Sequence, residues 1–173
     1  MVDRPKQLKE EKTLEKWSYL IEDANGKGEE IYNSIVRNID KVKPEAVSAR
    51  KETVMPQVSF SGFFKARRRE FLVVDNSNFK SYKIYVGVRD YGKQLLVSWY
   101  LVCEPGVLGQ LSRKMAEFKF MPLQMNLFDE EELTAYTTTV HHAVLGAVKE
   151  VMEGLNQDFA KVDRKSKGFL NIS

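Results

Sequence analysis

The 173-residue sequence holds a single cysteine, Cys103, which excludes an internal disulfide and any cysteine-based metal cluster. Histidine is almost as scarce. The two present, His141 and His142, are adjacent, and neighbours on a helix point about 100° apart, which does not suit joint ligation of one metal ion. Long hydrophobic runs are missing too. The longest stretch free of Asp, Glu, Lys and Arg is Leu133–Val148, which carries four threonines and both histidines, too short and too polar to span a bilayer. Met1 to Lys16 mixes charges of both signs without the apolar run a secretory leader needs. These absences point to a soluble cytoplasmic protein with no transmembrane segment. Also absent are internal repeats, low-complexity segments, and the serine-hydrolase, zinc-protease, kinase and dinucleotide signatures. The sequence therefore offers no catalytic residue, no metal ligand and no cofactor site, and it points away from an enzyme.

What is present is an ordinary globular balance. Hydrophobic residues make up 43% and charged residues 29%, enough to build one core, so residues 1–173 read as a single α+β domain. The net charge of +3 is sorted by segment. Residues 1–52 cancel at 11 basic and 11 acidic, 53–103 carry 8 basic and 3 acidic, 104–158 carry 4 and 9, and 159–173 carry 4 and 1.

Apolar spacing predicts a charged, peripheral helix over 5–22, with Leu8, Leu14, Trp17 and Leu20 loosely on one side. Asn25-Gly26-Lys27-Gly28 breaks it, and a second helix from Glu29 carries Ile31, Ile35, Val36 and Ile39, ending before Pro44. Period-2 patterns then predict an antiparallel sheet of four or five strands over about 57–121. Its strands are Val58–Phe64, Glu70–Asp75, Tyr82–Arg89 and Gln94–Cys103, with Glu117–Leu123 as an edge strand and a short helix over Val107–Met115. A four-residue loop at Asp90–Lys93 would set Val88 opposite Leu95 and Ile84 opposite Trp99, leaving Lys83, Tyr85, Arg89 and Tyr100 on the other face. A long helix over about 130–156, capped by Asp129 with Glu132 three residues on, covers the sheet. Residues 159–173 form a basic tail.

Three constellations bear on function. Lys65, Arg67, Arg68 and Arg69 cluster at one turn, and with Lys83, Tyr85, Arg89 and Tyr100 they form a basic, aromatic sheet face. Cations bind phosphates and rings stack on bases, so this face suits a nucleic acid or another anionic partner. On this reading the chain is a non-catalytic binding or interaction domain. The apolar segment 107–128, rich in Met and Phe, would instead serve a peripheral membrane or assembly module. Glu117 and Lys119 have the spacing of a metal-dependent nuclease, the remotest alternative. Ala143, Gly146, Ala147 and Gly154, within 143–154, would permit close helix approach, to the sheet or to a second copy in a homo-oligomer. Asn25-Gly26-Lys27-Gly28 lacks the features of a phosphate loop and reads as an ordinary turn. Cys103 reads as a small core residue.

Overall fold

A computed structural model describes residues 6–8, 13–56, 68–103 and 126–173. The order is β1 (Lys6–Leu8), β2 (Thr13–Ile21), α1 (Gly28–Val42), β3 (Val47–Pro56), β4 (Arg69–Asn76), β5 (Tyr82–Tyr91), β6 (Gln94–Cys103), α2 (Leu127–Gly154) and β7 (Lys167–Gly168). The strands form one sheet in the order β1-β3-β4-β5-β6-β2-β7. Six of them run antiparallel to their neighbours, and β1 lies parallel to β3. The fold is α+β as expected, but among the described residues it has more strands than four or five and one helix, α1, ahead of β3.

The first expected helix is a strand. Residues Thr13–Ile21 pair with β6, Trp17 opposite Trp99 and Ile21 opposite Leu95. Its inward positions are Glu15, Trp17 and Ile21, so a carboxylate interrupts the apolar alternation by which a strand is recognised. A bulge at Leu14 precedes it. Strand β3 escapes sequence reasoning for a related reason. Its centre, Arg50-Lys51-Glu52, reads as solvated charge, yet Arg50 pairs with Glu52 and Asp75 while Val47 and Ala49 pack into the core. The strand expected at Val58–Phe64 and the elements expected at 107–123 lie outside the described residues.

Strands β4, β5 and β6 fall where their patterns place them. The loop between the last two is shorter than expected: Tyr91 pairs with Gln94, leaving a two-residue turn at Gly92-Lys93. Gly92 takes a φ of 63°, the left-handed value that a type II′ turn needs at its first position. Val88 therefore faces Val97, Val86 faces Trp99 and Ile84 faces Leu101. The register moves by two residues, an even step, so every side chain keeps the face assigned to it.

Both helices cover the same face. Ile31, Tyr32, Ile35 and Ile39 of α1 join Leu133, Tyr136, Val140, Val144, Val148 and Val151 of α2 over Leu72, Val74, Ile84, Val86, Val97, Trp99 and Leu101. Each such fully buried aliphatic side chain contributes roughly 1.5–3 kcal/mol. Gly146 marks the helix crossing: a Cβ there would lie 2.9 Å from Asn38 Nδ2, which donates to the Ala143 carbonyl at 3.3 Å. Ala143 and Ala147 are buried within the chain. Helix α2 begins earlier than expected, and Asn126, not Asp129, is its N-cap, accepting the Asp129 N–H at 3.0 Å.

The segment 159–173 is not a free tail. The Trp17 indole donates to the Asp163 carbonyl at 2.7 Å, and the Leu14 carbonyl accepts from the Phe169 N–H at 3.0 Å. The Glu15 carboxylate, fully buried, accepts from the Ser166 hydroxyl and from the Leu170 N–H. These bonds supply the polar partners that a buried carboxylate needs.

Candidate functional site

The second face of the sheet is where the candidate residues fall, and it divides them. Lys65 and Arg67 lie outside the described residues. Arg68 and Arg69 are exposed at the start of β4. Lys83 is half-buried and lies 3.7 Å from Asp75, which also pairs with Arg50. Arg89 is exposed at the hairpin tip, its guanidinium 5.7 Å from the centre of the Tyr91 ring. Tyr85 is only 1% exposed and meets Phe71 edge to face, the ring centroids 6.3 Å apart. It is a core residue of this face, beside Val54, Val73 and Val102, and offers no open ring for stacking. Tyr100 is half-buried against that cluster. The expected continuous basic, aromatic surface is thus interrupted at its centre.

A cavity of about 890 Å³ opens beside this cluster. Among the described residues, Val54, Phe71 and Tyr100 supply its apolar and aromatic lining, and Thr13 and Ser18 bring hydroxyls. Lys16, Arg69, Lys165 and Lys167 supply cations. The register explains the convergence. Lys16 on β2 stands opposite Tyr100 on one side and opposite Lys167 of β7 on the other. Tyr100 stands opposite Tyr85, which stands opposite Val73. Arg69 stands opposite Val54 at the far side.

Among the described residues none of these four cations enters an ion pair. The two acids on the cavity are otherwise engaged: Glu15 by Ser166 and Leu170, and Asp163 by the Lys165 N–H, which its carboxylate accepts at 3.0 Å. Four cations against two carboxylates leave the cavity a net positive lining over an apolar floor. Sequence reasoning finds Arg69 and Tyr100 but misses Lys16, whose segment reads as a helix, and Lys165 and Lys167, whose segment reads as a tail. The net charge of that tail is the available signal, but no pattern places it beside β2.

The histidine pair plays a different part. His141 is fully buried between the two tryptophans, its ring centroid 5.6 Å from Trp99 and 5.8 Å from Trp17. The Trp99 indole can only donate, so Nδ1 of His141 accepts it at 3.0 Å. The Arg164 carbonyl can only accept, so Nε2 carries the proton and donates at 2.8 Å. Burial pushes the His141 pKa down to about 4, the Arg164 carbonyl partly opposing this and the His142 charge adding to it. A neutral imidazole thus bridges α2, β6 and the C-terminal segment. His142 is exposed.

Other features resolve simply. Gly26, with a φ of 81°, donates its N–H to the Asp90 carboxylate at 2.8 Å, so the Asn25–Gly28 turn is held by the chain itself. Cys103 is half-buried at the end of β6. Glu117 and Lys119, and nearly all of the segment 107–128, lie outside the described residues; Leu127 and Phe128 open α2 and are exposed. Among the described residues no group of three or more His, Cys, Asp and Glu could hold a metal ion, and no helix is long and apolar enough to cross a membrane.

The fold and cavity define an α+β protein with one sheet face under two helices and a cationic hollow on the other. No family model matches the sequence, and no curated protein matches it. A solved structure similar to the chain is that of TTHA0849 from Thermus thermophilus, at 12% identity, covering 80% of this chain and 97% of that one. The TM-score of 0.31 is too low for that likeness to carry an argument.

Proposed function

We propose that the chain is a non-catalytic binding domain that takes an anionic partner at the cavity beside β2. The observation that carries this reading is the contrast between cations on one sheet face. Arg50 pairs with Glu52 and Asp75, and Lys83 with Asp75, whereas Lys16, Arg69, Lys165 and Lys167 form no ion pair among the described residues and outnumber the two acids, Glu15 and Asp163, on their hollow. Such a hollow focuses positive potential where its low-dielectric wall excludes water. Lysines on edge strands also deter edge-to-edge pairing, but that role calls for no concave floor of Val54, Phe71 and Tyr100.

The test is a titration of the full chain with anionic probes, a labelled single-stranded oligonucleotide and a fatty carboxylate, at low and at moderate ionic strength. Binding should appear at low salt, weaken as salt screens the charges, and fall in the double variant Lys16→Glu, Lys167→Glu. No affinity for any anionic probe at low salt would end the reading.

A further inference from the structure

The shape and lining of the cavity narrow the partner further, on the footing that this cavity is the binding site proposed above. We infer that it takes a small amphiphile with one anionic head, a carboxylate or phosphate monoester, on an apolar body. Three observations converge. The volume, about 890 Å³, falls within the range of roughly 300–1,000 Å³ that holds small organic ligands. The floor is apolar: Val54 and Phe71 belong to a buried cluster against which Tyr100 packs. And the cations are not strung along a track. Lys16 and Lys167 are direct cross-strand partners, an arrangement that repulsion disfavours unless something negative sits between them. One head group held by that lysine pair would offset the repulsion while its body lies over Tyr100, the next residue in the same cross-strand row. A polyanionic strand would need a continuous cationic groove, since its phosphates repeat along the chain.

Isothermal titration of the full chain at low ionic strength tests this, using decanoate below its micelle concentration. Acetate and decanol carry the head and the body alone, and an oligonucleotide is the polyanion. Decanoate should bind one to one and at least about tenfold more tightly than acetate or decanol, since each buried methylene adds to the affinity. Lys16→Ala and Lys167→Ala, both at exposed positions, should each weaken decanoate by roughly three- to fivefold and leave decanol unchanged. A charge reversal, Lys167→Glu, should weaken it further. Equal affinity for acetate and decanoate, or oligonucleotide binding where decanoate fails, overturns the amphiphile while the anionic-partner reading stands. Silence from every anionic probe overturns both.

Discussion

Acidifying the protein from pH 7.5 to pH 5 should remove about 2 kcal/mol of stability through His141 alone. In the unfolded chain the imidazole titrates near 6.5, and in the fold burial holds it at about 4. The native state therefore binds fewer protons than the unfolded state between those values, and stability rises with pH across that window. The contribution is fully present above pH 6.5 and is lost as pH falls toward 4, about 3 kcal/mol over the whole interval at about 1.4 kcal/mol per pH unit. At pH 5 the loss is about 2 kcal/mol, before most carboxylates begin to titrate. The geometry gives the reason: a proton on Nδ1 would face the Trp99 indole N–H, a donor 3.0 Å away, in a fully buried site. Urea denaturation followed by tryptophan fluorescence, at pH 7.5 and pH 5, measures it. His141→Leu removes the titration and leaves the Trp99 N–H and Arg164 carbonyl without partners, at about 2–4 kcal/mol at pH 7.5. Its pH dependence should be flatter than the wild type's by the same 2 kcal/mol or so. Parallel curves for the two proteins, or an NMR titration of His141 near 6.5, would refute the reasoning.

Glu15→Ala should strand the Leu170 N–H and leave the Ser166 hydroxyl only the Ile172 carbonyl, destabilising by about 1–3 kcal/mol. Limited proteolysis should then cut faster within 163–170; an unchanged cleavage rate would count against the pinning role. Gly87→Ala places a Cβ 2.7 Å from the Phe71 ring and 3.3 Å from the Ser98 hydroxyl, where Phe71 is already nearly buried. Overpacking there should lower stability by about 1–3 kcal/mol in chemical denaturation, and a neutral result would show that the ring moves freely.

The parts of the fold that are legible in the sequence are those whose burial pattern is pure. Helix α2 shows an unbroken apolar stripe, and β5 and β6 alternate cleanly on the helix-covered side. The parts that are not legible owe their stability to polar groups satisfied far away in sequence. Glu15 reads as a surface residue until Ser166 and Leu170 are brought to it, and Arg50 reads as solvated until Asp75 stands opposite Ser48 on the neighbouring strand. The candidate site suffers in the same way. Arg69 and Tyr100 stand out because they lie on well-patterned strands, whereas Lys16 gains meaning only once β2 is a strand and Lys167 its neighbour. Tyr85 shows the converse: alternation places it on the second face correctly but cannot say that the face has a core of its own.

Because β2 pairs with β6 and is stitched to residues 163–170, it depends on partners made long after it. Trp17 must wait for Trp99, and its indole for a carbonyl 146 positions further along; the Glu15 carboxylate waits across 151. On a ribosome adding about 5–20 residues per second, the early segment spends several seconds with a half-built hydrophobic edge and nothing to seal it. Ordering of β2 thus lags well behind its own synthesis, and crowding by other nascent chains threatens that segment first.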